Sequence, residues 1–245
     1  MRFIQTGPMN RPRAFLFDVF GTLVDWRTSI TNQMRLEFEK RNLAQDAHAF
    51  AVAWRAAYDP AMAPIRSGKR GYVALDELHR ENLIATLEAF DIEQYFTNDD
   101  ISKLARAWEK LDPWPDTVAG LSALKPIAPI APCSNGSIAL MTHLARHAHL
   151  PWDCILGADI GRNYKPHPDC YLASCAALRL PPEQVMMVAA HNSDLEAARE
   201  VGLQTAFIAR PNEHADPAKQ ELVPTQDWTA VAADLGHLAD QLSAQ

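Results

Sequence analysis

At 245 residues the chain has room for one large domain or two modest ones, counting roughly 150 residues per domain. Hydrophobic residues make up 48% and charged residues 22%, which excludes a disordered chain. Lys+Arg 23 against Asp+Glu 30 gives a net charge of −7, so no nucleic acid and no anionic membrane surface is expected as the main partner. A small anionic substrate stays compatible, because a pocket can be locally positive.

In chain order, residues 1–12 lack the apolar run of a signal peptide and read as a flexible extension. No later stretch approaches the ~18 apolar residues of a membrane span, and a cytoplasmic location is expected. Residues 14–17 (AFLF) predict a buried strand ending at Asp18, with Gly21 and Thr22 in the following turn. More than a hundred residues then precede the next apolar run, far more than a βαβ crossover requires. They read as helix: Ile30, Met34 and Phe38 recur at helical spacing, as do Ile101, Leu104, Trp108 and Leu111 behind an Asn98-Asp99-Asp100 start signal. The simplest account is a helical cap inserted over residues 26–111, joined by linkers at 24–27 and 112–116. Further strands are predicted at 127–133, 154–156, 185–189 and 205–208, with helices over 137–149, 168–178, 194–201 and 229–242. The run 127–133 holds Pro129 and Pro132, which suits a central strand badly, yet Ser134-Asn135-Gly136 follows it as a strand-to-helix turn should. Alternating strands and helices predict an α/β fold, a Rossmann-like parallel sheet core built from 13–25 plus 112–245, with ligands at the carboxyl ends of the strands.

The polar clusters fall at those ends. Asp18 stands at the tip of the first strand, and Ser134-Asn135-Gly136 precedes a helix whose N-terminal amides can hold an anion. Lys165 comes from the proline-stiffened Tyr164-Lys165-Pro166, and Asp194 opens the helix after the strand at 185–189. A carboxylate nucleophile, a cation to keep it ionised, an anion-binding turn and a second carboxylate on one sheet edge suit a covalent hydrolase with an aspartyl intermediate. Cys133, Cys154, Cys170 and Cys175 form no CxxC pair or metal-ligand spacing and are expected as reduced thiols, Cys133 packing rather than reacting. His143 and His147, four apart, lack the Glu of a zinc-protease motif and read as a solvated helix face. No nucleotide-binding or serine-hydrolase motif is present, so no cofactor is expected.

The segments DVFGTL, CSNG, YKP and VAAHNSD, in this order and spacing, resemble the four motifs of the haloacid dehalogenase superfamily, and their wider wording resembles its type II L-2-haloacid dehalogenase branch. Most superfamily members are phosphatases. That chemistry implies a second aspartate two residues after the nucleophile and an acidic metal ligand in the fourth motif; these positions are Phe20 and Ala190 here. The resemblance therefore implies metal-independent dehalogenation of short 2-haloalkanoic acids through an ester on Asp18, with inversion at C2. Lys165 would hold Asp18 ionised, Thr22 would hydrogen-bond it, and Asp194 would orient Lys165 or activate water. Ser134, Phe20 and Tyr171 fall at substrate-binding positions, Tyr171 being otherwise a packing aromatic. Asn135 offers an amide to the halide, and Arg55 matches the arginine sent down from the cap, otherwise a solvated helix residue. His191, grouped with the substrate-binding residues, stands where the family has asparagine; it positions the hydrolytic water, alters the halide pocket, or is an ordinary surface histidine. The resemblance also implies a possible homodimer. A magnesium-dependent phosphatase and a non-catalytic carboxylate-binding protein are the alternatives, separated by magnesium dependence and by an Asp18 ester.

Overall fold

The structure, a computed structural model, describes residues 11–244; of the expected N-terminal extension only Arg11 and Pro12 lie within them. The strands are β1 (Ala14–Phe17), β2 (Val24–Asp25), β3 (Asp112–Pro113), β4 (Ile130–Pro132), β5 (Val185–Ala189), β6 (Gln204–Ile208) and β7 (Ala230–Ala232). Five of them form one sheet in the order β4-β1-β5-β6-β7, and every pairing in it is parallel. The helices are α1 (Trp26–Lys40), α2 (Ala47–Ala56), α3 (Tyr58–Arg66), α4 (Leu75–Ala89), α5 (Asn98–Leu104), α6 (Thr117–Leu124), α7 (Ile138–Ala148), α8 (Ala158–Gly161), α9 (Pro168–Ala177), α10 (Asn192–Glu200) and α11 (Leu235–Ser243).

The buried strands obey the two-residue period of a pleated sheet. Phe15 and Phe17 of β1 join one apolar cluster with Met186 and Val188 of β5 and with leucines of α6, α7 and α11. Ala14 and Leu16 join the other with Val185, Met187 and Ala189 and with side chains of α9 and α10. Both faces are therefore covered, which is why these strands read as unbroken apolar runs. The first cluster continues into the helices between β2 and β3, through Trp26, Trp54, Leu78 and Trp108. Phe20, just past β1, sets its ring edge-on to Trp108 at 5.9 Å and to Tyr58 at 6.3 Å, tying the first motif to those helices.

Two expectations are corrected. Residues 154–156 form no strand. The outer edge of β4 is closed instead by Asp153, whose Oδ2 accepts from the Ile130 amide at 2.9 Å, and by Pro132, which has no N–H to offer. Being an edge strand is also what lets β4 carry that proline. Residues 229–242 are not one helix: Ala230–Ala232 pairs with β6, and α11 starts at Leu235 behind Asp234, whose side chain caps it by accepting from His237 N at 2.7 Å. At the two expected linkers β2 and β3 pair antiparallel, and α1 begins at Trp26. Arg210 braces this junction, forking onto Asp116 at 2.7 and 3.0 Å while its Nε donates to Thr22 O at 2.7 Å.

Candidate active site

The sheet order sets the site. Because β1 lies between β4 and β5, the residues that follow these three strands emerge side by side. Asp18 extends the ladder by one bond, its N–H donating to Val188 O at 3.0 Å, and the residue is nearly sealed at 7% exposure. Oδ1 accepts from Lys165 Nζ at 2.9 Å. Oδ2 accepts from Thr22 Oγ1 at 2.6 Å and from His191 Nδ1 at 3.2 Å. Burial alone would raise the carboxyl, but Lys165, then His191 and Thr22, override it and hold Asp18 well below the usual carboxylate range. These partners favour the ionised form of the nucleophile expected from the sequence. Thr22 is itself fixed, its Oγ1 accepting from Ala190 N at 2.9 Å.

Lys165 is held by three hydrogen bonds, two of them from its ammonium, whose third hydrogen is left over. Its backbone N–H donates to Asn135 Oδ1 at 2.7 Å, which directs the amide nitrogen of Asn135 away from that bond. Its Nζ also donates to Asp194 Oδ2 at 2.5 Å, and Tyr171 Oη donates to Asp194 Oδ1 at 2.5 Å. Both Asp194 oxygens are therefore committed. Burial would strip the charge from Lys165, yet Asp18 and Asp194 raise its pKa instead. Asp194 is raised, because burial and the neighbouring Asp18 charge outweigh Lys165.

His191 occupies a second cationic position. Nδ1 faces Asp18, and Nε2 lies 3.1 and 3.0 Å from the two carboxylate oxygens of Glu213. Burial lowers the pKa of this imidazole, but Glu213 and Asp18 reverse the effect and raise it well above its ordinary value. Glu213 is depressed in turn, His191 overcoming burial.

A cavity of 180 Å³ opens over Asp18, lined also by Phe20, Arg55, Tyr58, Asn135, Lys165 and His191. Arg55 reaches it from α2 with its guanidinium 4.0 Å over the Tyr58 ring and 5.5 Å over that of Trp26. Arg55, Tyr58 and Asp59 are shared with a larger outer cavity of 610 Å³, which reaches His48 and Lys219. Three predicted residues do not line the inner cavity. Thr22 and Tyr171 act behind Asp18 and Asp194, and the buried Ser134 accepts from Gly136 N at 3.2 Å, fixing the turn that presents Asn135. Cys133 is packed, and burial pushes its thiol up to about 12.

The donor set does not suit a magnesium ion. The Asp18 oxygens are taken by donors, Phe20 contributes a hydrocarbon ring, and Ala190 a methyl group, where a hard cation needs several oxygens. Among the described residues one group brings ligand-type atoms within 4.8 Å of one another: His191, Glu213 and His214. Its central pair already satisfies itself as a hydrogen-bonded ion pair.

Sequence reasoning missed Tyr58 and Glu213. Tyr58 opens α3 three residues after Arg55, across the junction at Ala57, so only the docking of two separate helices brings both to the cavity. Glu213 follows β6 in the loop after Ile208, at the same sheet edge as the other motifs. The rule that ligands gather at strand carboxyl ends would have singled it out.

Comparison with known proteins agrees with this fold. The family model for a haloacid dehalogenase-like hydrolase matches residues 12–202. A solved defluorinating L-2-haloacid dehalogenase is 48% identical, with 95% of each chain covered and a TM-score of 0.93. A second solved L-2-haloacid dehalogenase is 45% identical over 96% of this chain and 100% of its own, with a TM-score of 0.91. The (S)-2-haloacid dehalogenase of Xanthobacter autotrophicus is 27% identical over 83% of this chain and 77% of its own length. No helix among the described residues is long and apolar enough to cross a membrane. From motif order, sheet topology and these matches together, the chain belongs to the haloacid dehalogenase-like hydrolase family.

Proposed function

We propose that the protein is a 2-haloacid dehalogenase that hydrolyses short 2-haloalkanoic acids to 2-hydroxy acids. Asp18 attacks C2 in an SN2 displacement, which inverts that carbon and leaves an ester as the halide departs. Water then attacks the carboxyl carbon of Asp18, releasing the hydroxy acid and restoring the carboxylate. The observation that carries this reading is the buried, doubly cation-paired carboxylate of Asp18 beneath Arg55, with a phenylalanine where a phosphatase needs an acid. Two relatives at 45% and 48% identity that bear this activity in their names support it.

The roles follow from the chemistry. A halide leaves as a stable anion and needs no proton, so position 20 can be apolar, and Phe20 instead keeps water from the nucleophile. Charge grows on the halide, where the Arg55 guanidinium and the amide of Asn135 are worth more in a dry cavity than in water. Lys165 and the turn fixed by Ser134 receive the substrate carboxylate. Asp194 and Tyr171 keep Lys165 in place. The helices over residues 26–111 act as the cap that closes this cavity, and the enzyme works in the cytoplasm as a homodimer.

The test is halide release from L-2-chloropropionate and chloroacetate in EDTA, beside hydrolysis of p-nitrophenyl phosphate with magnesium. Halide release indifferent to EDTA, with negligible phosphate release, is the expected result. Phosphate release abolished by EDTA would replace this reading with the phosphatase. An Asp18→Asn variant that still releases halide would remove Asp18 as nucleophile.

A further inference from the structure

We propose that His191 is the base that activates the hydrolytic water, that Glu213 positions it, and that esterification of Asp18 is the event that frees it to act. The proposal rests on the dehalogenase reading and concerns its second step.

Ester hydrolysis needs a base beside the Asp18 carboxyl carbon, and few groups at the cavity qualify. Asp194 has both oxygens bound, to Lys165 and Tyr171. Asp59 is exposed and paired with Arg66 at 2.8 Å. His191 remains, with Nδ1 3.2 Å from Asp18 Oδ2, one bond from the carbon to be attacked. Its other nitrogen is held by Glu213, and Glu213 is built in rather than incidental. The Glu213 side chain is buried and accepts from Trp26 Nε1 at 3.3 Å, while its carbonyl accepts from Arg27 Nε at 3.0 Å. Gly21 also makes room for it: a Cβ there would stand 2.0 Å from Glu213 Oε1. A base oriented by a third group through its far nitrogen is the logic of a catalytic triad.

The proton balance supplies the timing. Before reaction His191 is charged and donates Nδ1–H to the Asp18 carboxylate, so it cannot accept a proton. Displacement turns Asp18 into a neutral ester and removes one of the two anions that hold that proton, which passes to solvent through the cavity. Nδ1 is then a lone pair facing the ester, with Nε2–H kept on Glu213. It takes one proton as water adds to the Asp18 carboxyl carbon. Collapse breaks the bond to the substrate oxygen, which leaves with the second water proton as the hydroxy acid. Asp18 returns to carboxylate and His191 to imidazolium. The cycle consumes one water and releases one halide and one proton, with no change of oxidation state.

The experiment is rapid-quench turnover of L-2-chloropropionate, reading halide and intact protein mass in wild type, His191→Gln, Glu213→Gln and Glu213→Asp. His191→Gln should give a single halide burst within about 3-fold of the wild-type rate, then turnover lowered ~10²–10⁴-fold, the range of general-base catalysis. The Asp18 ester should then be its main species. Glu213→Gln should show the same split more weakly, with Glu213→Asp recovering part of the loss. Wild type needs no folding control: its ester decay should fall as pH drops through an ionisation absent from the burst. That ionisation is set by the groups around His191, namely Asp18, Glu213 and His214, with Lys165 and Arg55 across the cavity. Burst and turnover slowed equally, or no adduct with wild-type turnover, would overturn the proposal while leaving the dehalogenase intact. Absence of halide release from wild type would instead refute the reading on which it rests.

Discussion

Replacing Lys165 by methionine removes the one cation shared by Asp18 and Asp194 while nearly keeping its volume. At 2.9 Å and an effective dielectric of ~20, the Lys165–Asp18 attraction alone is about 6 kcal/mol before desolvation is subtracted. Breaking a buried pair by removing one partner costs ~3–5 kcal/mol net. At ~2–4 °C per kcal/mol for a chain of this size, the melting temperature should fall by roughly 6–20 °C. The chemistry should suffer in parallel. Thr22 and His191 still hold Asp18 Oδ2, so ionisation is weakened rather than lost. If about 3 kcal/mol of the loss falls on the ionised form, the acid limb of the halide burst moves up by about two pH units. Stopped-flow halide release after brief pH jumps from pH 2 to 9, with thermal unfolding alongside, measures both effects. A second variant, Lys165→Met with Asp194→Asn, removes the stranded charge of Asp194 and should recover stability without recovering activity. A Lys165→Met protein with an unmoved acid limb and unchanged stability would refute the ion-pair reasoning.

Gly21→Ala meets two obstacles at once, φ of +87° and the contact with the Glu213 carboxylate. It should cost more than ~1 kcal/mol in urea unfolding and slow ester hydrolysis more than the halide burst. The raised pKa of His191 makes its contribution to stability complete below the unfolded value of ~6.5 and progressively lost as pH climbs through the folded one. The stability gap between wild type and His191→Gln should therefore be widest near pH 6 and shrink toward pH 10; a gap that widens with pH would contradict the ion pair. Arg210→Lys removes the planar fork onto Asp116 and should destabilise by ~1–2 kcal/mol, since Asp116 keeps some solvent contact. In native protein Cys133 should resist iodoacetamide at pH 8 and react only after denaturation, as peptide mapping would show.

What was legible in the sequence follows from how local each signal is. Residues 14–17 and 185–189 coincide with β1 and β5 because an apolar run bounded by turn residues admits little else at that length. The segment at 230–232 was lost inside a longer apolar periodicity, and only its pairing with β6 makes it a strand. The prolines near β4 were awkward until the sheet order made that strand an edge. Asp18, Lys165 and Asp194 were found because each sits at a recognisable break between elements, and the fold alone brings them within 3 Å. Glu213 lies in a loop with no periodicity, and its partnership with His191 depends on the approach of β6 and on the missing side chain at Gly21. How α2 and α3 dock Arg55 and Tyr58 over the cavity is a matter of tertiary packing through Phe20 and Trp26.

The ester on Asp18 is tested most directly by one turnover in ¹⁸O-water with enzyme in excess over L-2-chloropropionate. The heavy oxygen should appear in the Asp18 peptide, because water attacks the aspartyl carboxyl carbon, and the first lactate released should carry none. Label found in that first lactate, with Asp18 unlabelled, would mean that water attacks C2 directly and that Asp18 is not the nucleophile.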